Sequence, residues 1–182
     1  MWITDPQRIK KLAQEKEEEN WEFRTFLKGI DMPSEELDTL VHGLYRDISS
    51  RIDCRECGHC CRSILPNLSP ADITGLAAGL SMSNAEVTHR YLTTREEDQN
   101  AHTFNATPCP FLDGNQCTVY ESRPQSCRSY PHLHKQGFAH RLIQVVANYA
   151  ICPIVFNTYE ELKKRLWQPP WRGEHAPWRE LE

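Results

Sequence analysis

"DCRECGHCCRS", residues 53–63, sets four thiols within eight positions: Cys54, Cys57, Cys60 and Cys61, the last two adjacent. Three chemistries use such a run: a disulfide framework, a redox pair with extra thiols, or a set of metal ligands. The rest of the chain narrows the choice. Its 182 residues suit one folding domain better than two and suffice to bury a core without covalent staples. The N-terminal "MWITDPQRIKKLAQEKEEEN" has no continuous apolar segment and no small-residue cleavage site. Export is therefore not expected, and a reducing, cytoplasmic setting keeps thiols unpaired unless a metal holds them. The most apolar stretch, 142–156, is short and interrupted by Gln144 and Asn148, so it reads as core and no membrane is expected. A formal net charge of -4, with Lys and Arg scattered, gives no reason to expect nucleic acid.

The eight cysteines are Cys54, Cys57, Cys60, Cys61, Cys109, Cys117, Cys127 and Cys152. A C-x-x-C step lets two sulfurs reach one metal while backbone amides turn toward them, and here it occurs twice in succession. Gly58 lies inside the second step, where a backbone without Cβ can bend closely around an ion. The spacing matches the first three ligands of a bacterial ferredoxin run, while Cys61 follows at once where the fourth ligand is absent. Cys109-Pro110 and Cys152-Pro153 are candidates for completing the site from a distance. A redox pair needs two thiols in a βαβ setting, and no such setting is visible. All eight thiols are thus candidate ligands for a [4Fe–4S] cluster or zinc, and their number and spacing lean toward iron–sulfur. Whether they form one centre or two, and which of Cys60 and Cys61 touches metal, stays open at this level.

Charge points the same way. Four thiolates around zinc, or around a doubly positive four-iron cluster, leave a net charge of about −2. Arg55, His59 and Arg62 interleave with the first cysteines, and Arg123 and Arg128 flank Cys127, where cations offset that charge. Arg55 and Arg62 read equally well as ordinary surface arginines. His59, His132, His134 and His140 are possible ligands, but eight thiols make them unnecessary and a supporting or surface role is favoured.

Around the cysteines the pattern is mainly helical, an α+β class with one short β-hairpin. Phe23, Phe26, Leu27 and Ile30 mark one helix. Leu37, Leu40, Val41, Leu44, Tyr45 and Ile48 mark a second, opened by Pro33-Ser34-Glu35-Glu36. The two are expected to form an N-terminal hairpin covering the cysteine-bearing half. Ser69 with Asp72, and Ser83 with Glu86, are capping boxes for two more helices. "TREEDQNAHTFNA" reads as a polar loop entering a short strand near 102–105. Asp113-Gly114-Asn115 between apolar runs predicts a β-hairpin. Arg123-Pro124 starts a turn or short helix presenting Cys127. "FAHRLIQVVANYAIC" reads as a helix, and Thr158 with Glu161 is expected to cap a last one, ended by Gln168-Pro169-Pro170. The expected division is 1–52 helical hairpin, 53–167 cysteine-rich domain and 168–182 Pro/Trp-rich tail, with the flanking parts available to a protein partner.

"CRECGHCC" followed by "PCPFLDGNQCTVYESRPQSCRSYP" resembles the YkgJ-type CxxCxxCC cysteine-cluster family of zinc- or iron-chelating, iron–sulfur-associated proteins. The elements carrying the resemblance are Cys54 to Cys61, Cys109 to Leu112, Cys117 to Tyr120, Arg123 to Pro131, and Cys152-Pro153. It covers roughly 53–156 and implies a metal centre held by these cysteines. Relatives include flagellin lysine N-methylases, but this chain shows no glycine-rich nucleotide fingerprint after a strand, so that activity is not carried over.

Overall fold

The computed structural model describes residues 2–95 and 98–167. In chain order the helices are α1 (Pro6–Glu15), α2 (Glu17–Gly29), α3 (Ser34–Ser49), α4 (Cys54–Cys57), α5 (His59–Ser63), α6 (Pro70–Leu80), α7 (Asn84–Tyr91), α8 (Gln125–Ser129), α9 (Leu142–Tyr149) and α10 (Pro153–Leu166). The strands, β1 (Leu92–Arg95) with β2 (Asp98–Phe104) and β3 (Leu112–Asp113) with β4 (Gln116–Cys117), form two antiparallel pairs. The protein is therefore mainly α-helical with small β elements. Among the described residues no helix is long and apolar enough to cross a membrane.

Two compact units share the chain: Met1–Ile52 with Leu133–Glu182, and Asp53–His132. This differs from a division that keeps 53–167 together. The reason is non-local packing: α3 packs chiefly against α10, and α2 against α9, so 133–167 belongs with the N-terminal helices. The expected tail, 168–182, lies outside the described residues.

The helical unit is organised by α10. Proline at the first helical position loses no hydrogen bond and presets φ, so Pro153 opens the helix with Cys152 as its extended N-cap. The expected cap Thr158 instead lies inside α10, 1% exposed, because Pro153 has already started the helix. Phe23 and Tyr149 meet the Tyr159 ring edge-on, at 5.0 and 5.7 Å. Lys163, 1% exposed, donates to Asn20 Oδ1 (2.6 Å) and Glu19 Oε1 (2.8 Å) and pairs with Glu160 Oε1 at 2.9 Å. Tyr149 also donates to Glu160 Oε1, at 2.8 Å. A buried ammonium is tolerable only with such partners.

In the cysteine-bearing unit both expected capping boxes form. Ser69 and Asp72 bond reciprocally before α6, as do Ser83 and Glu86 before α7. The second oxygen of Asp72 accepts the Gln125 amide at 2.7 Å, tying the start of α6 to the start of α8. The polar stretch after α7 corrects the loop expectation, because 92–95 is itself a strand. Leu92 pairs with Phe104 and Thr93 with Thr103, so the β-branched threonines find a ladder and both end residues enter the core. That core gathers Leu68, Ile73, Leu76, Val87, Leu92, Phe104, Phe111 and Val119, with Cys109 and Cys117 packed against its edge.

Gly79 lets α6 approach the 3-10 turn Tyr120–Ser122: a Cβ there would stand 2.6 Å from Ser122 Cβ. Alanine normally favours a helix over glycine, yet Gly79→Ala is expected to destabilise this unit, by about 1–3 kcal/mol of overpacking. A denaturant melt measures the loss.

Candidate metal centre

The CxxCxxCC stretch folds as two single-turn helices, α4 and α5, hinged at Gly58. Asp53 caps α4 by accepting the Arg55 amide at 2.9 Å. Gly58 then takes φ 58°, the left-handed conformation that a residue without Cβ adopts at least cost. A Cβ there would lie 2.8 Å from Arg62 Nη1 and 3.0 Å from the Asn115 carbonyl oxygen. Gly58 thus serves the close approach of the β3–β4 turn. Arg62 and Asn115 fasten that approach. Arg62 Nη1 donates to the Gly58 carbonyl at 3.0 Å, and its Nη2 donates to the Gly114 carbonyl and to Asn115 Oδ1. Asn115 Nδ2 returns a bond to the Glu56 carbonyl at 2.7 Å. Gly58→Ala is expected to cost about 1–2 kcal/mol in backbone strain alone. It should also lower metal retention by prising the hairpin from α4–α5, as a thermal melt paired with elemental analysis reads out.

This fastening brings distant cysteines to one cleft of about 270 Å3. Cys54, Cys60, Cys61, Cys109, Cys117 and Cys127 line it, from α4, α5, the segment before β3, β4 and α8. Cys57 is not among the lining residues. Cys152 belongs to the helical unit, where it is buried at the start of α10. The Cys109 amide donates to the Cys61 carbonyl at 2.8 Å, a main-chain link between the two cysteine segments. Both Cys60 and Cys61 face the cleft, so neither is set aside as packing. Of the histidines singled out, His132 lines the cleft, with a left-handed φ of 64°, uncommon for a residue other than glycine. His134 and His140 are exposed in the helical unit, and His59 opens α5 outside the lining.

The remaining walls are largely apolar, including Ile64, Leu65, Phe104, Phe111 and Val119, and among the described residues no carboxylate lines the cleft. Hard cations such as magnesium and calcium take oxygen donors, whereas clustered thiols suit zinc, copper(I) and iron–sulfur centres. The donor set fits the softer metals. Among the described residues, no three His, Cys, Asp or Glu side chains are gathered at single-ion distance. The thiols ring the cleft rather than meeting at a point.

Electrostatics single out Cys61. A hydrogen bond from the Cys60 thiol, helped by the Arg62 charge, brings Cys61 down to about 7 despite burial. The others move up. Burial takes Cys109 to about 11 and Cys127 to about 12, and it raises Cys54 and Cys117 as well. The charge on Cys61 is felt at each of those four thiols, which makes it the hub of the cluster. A metal entering here would displace protons from most of its ligands.

The family model CxxCxxCC, "Putative zinc- or iron-chelating domain", matches residues 53–153, more than half of the chain. No curated protein and no solved structure matches.

Proposed function

From the premise that this chain belongs to the CxxCxxCC family of zinc- or iron-chelating domains, we propose a cytoplasmic protein whose cysteine-lined cleft holds an iron–sulfur cluster. The ligands come from Cys54, Cys60, Cys61, Cys109, Cys117 and Cys127. The convergence of these six thiols from separate segments on one largely apolar cleft carries the reading. A single zinc takes four ligands at about 2.3 Å and needs almost no cavity. Six thiols ringing about 270 Å3 suit a wider centre better. When bound, such a centre supplies electron transfer or Lewis acidity at an open iron position. The protein's own part is to bind it through sulfur, wall it with Phe104 and Phe111, and offset its charge with nearby arginines.

Anaerobic purification followed by iron, zinc and acid-labile sulfide analysis tests this. Iron with equimolar sulfide and absorbance near roughly 400 nm is the expected result. Stoichiometric zinc in a colourless protein would replace it with a structural zinc module, whose binding energy is folding energy and whose task is contact with another protein.

A further inference from the structure

The arginines near the cleft are not equivalent. Arg55 is already neutralised, its Nε and Nη2 gripping both Asp53 carboxylate oxygens at 2.7–3.1 Å. Arg62 is occupied with the Gly58 and Gly114 carbonyls and the Asn115 side chain. Arg128 is exposed and braces the main chain, donating through Nε to the Arg123 carbonyl at 2.9 Å and through Nη2 to that of Glu121. Arg123 lines the cleft, as Arg55 does, but its partner is Tyr120 rather than a carboxylate. Its guanidinium lies 3.5 Å from the Tyr120 ring centroid, and Nη1 donates to the Tyr120 carbonyl at 2.6 Å. Among the described residues no carboxylate pairs with it.

A cation stacked on a ring and braced through its own carbonyl is fixed in place before any ligand arrives. It faces a largely apolar cleft, where a charge is felt more strongly than in water. Arg123 shares the cleft wall with Cys54, Cys117 and Cys127, which come from α4, β4 and α8, so it stands among thiols of three segments rather than beside one. The centre that would form there carries excess negative charge once four thiolates bind.

We infer that Arg123 is the built-in counter-charge of the thiolate centre, a positioning residue that never touches the metal. The inference rests on the metal reading above and adds the residue that balances its charge. The test separates charge from shape. Gln keeps an N–H donor for the Tyr120 carbonyl and loses the charge; Lys keeps the charge and loses the planar fork. The metal-depleted full-length chain is titrated with Cd2+ in competition with a chelator, following thiolate-to-cadmium absorbance, with far-UV circular dichroism as the check on folding. Arg123→Gln is expected to weaken Cd2+ binding about tenfold, while Arg123→Lys stays within about threefold of wild type. Wild-type affinity in Arg123→Gln, or equal weakening in both variants, overturns the inference and leaves the metal centre standing. A wild-type chain that takes up no Cd2+ overturns both. Should Arg123→Gln not fold, Arg123→Lys decides alone: retention within threefold supports a charge role, and a larger loss assigns Arg123 to the stack on Tyr120.

Discussion

Cys61→Ser is expected to strip the metal from the protein while leaving the polypeptide folded. Cys61 accepts a hydrogen bond from Cys60, and its charge is felt at Cys54, Cys109, Cys117 and Cys127. Its structural tie, the carbonyl that accepts the Cys109 amide at 2.8 Å, is main chain and survives the substitution. Serine replaces a soft sulfur with a hard, poorly ionised oxygen at the hub of the site. Losing groups that merely orient ligands costs roughly 10–100-fold in metal affinity, so losing this thiol should exceed that range. Cys57→Ser should retain more metal, because Cys57 does not line the cleft. Elemental analysis per chain, beside far-UV circular dichroism, compares the two. Equal loss in both variants would contradict the cleft as the ligand set.

Lys163→Met is expected to be the most damaging substitution in the helical unit, at about 3–5 kcal/mol in a urea melt. The ammonium is buried against Glu19, Asn20 and Glu160, and removing it leaves Asn20 Oδ1 without its donor and the two carboxylates to Lys16. The same network sets a pH dependence. Burial pushes the Glu160 carboxyl up, but the Lys163 charge and hydrogen bonds from Lys16, Lys163 and Tyr149 outweigh it, leaving the group below its ordinary value of 4.5. A carboxyl lowered in the folded state stabilises fully above its unfolded value and loses that contribution as pH falls through the folded one. Wild-type stability should therefore drop on acidification below about pH 4.5, and the drop should be shallower in Lys163→Met. Parallel urea melts between pH 3 and pH 7 measure both slopes, with about pH 4.5 as the dividing point.

What the sequence made legible was local. The caps at Ser69 and Ser83 depend on a partner three residues away, and the β3–β4 turn on Gly114 with its φ of 57°. Local signals also misled. Thr158 with Glu161 imitates a capping box, but Pro153 upstream had already opened α10, so the motif fell inside a buried helix. β1 is not legible in the sequence because 93–95 is polar, and its strand character comes from pairing with β2 rather than from its own pattern. The grouping of 133–167 with the N-terminal helices needed contacts far apart in sequence. At the site, the thiol spacing announced soft-metal chemistry. The side-chain directions on two one-turn helices, which turn Cys60 and Cys61 into the cleft while Cys57 is not part of it, depend on Gly58 and the hairpin fastened over it. The space that Gly58 leaves, expected to admit an ion, is taken by Arg62 and Asn115.

The most direct measurement of the central claim is site-resolved cysteine alkylation, read by mass spectrometry, on natively purified protein before and after metal removal by a chelator. If the cleft holds the metal, Cys54, Cys60, Cys61, Cys109, Cys117 and Cys127 are protected in the loaded protein and label once it is stripped, while Cys57 labels alike in both. Equal labelling of those six thiols in the two states would contradict it.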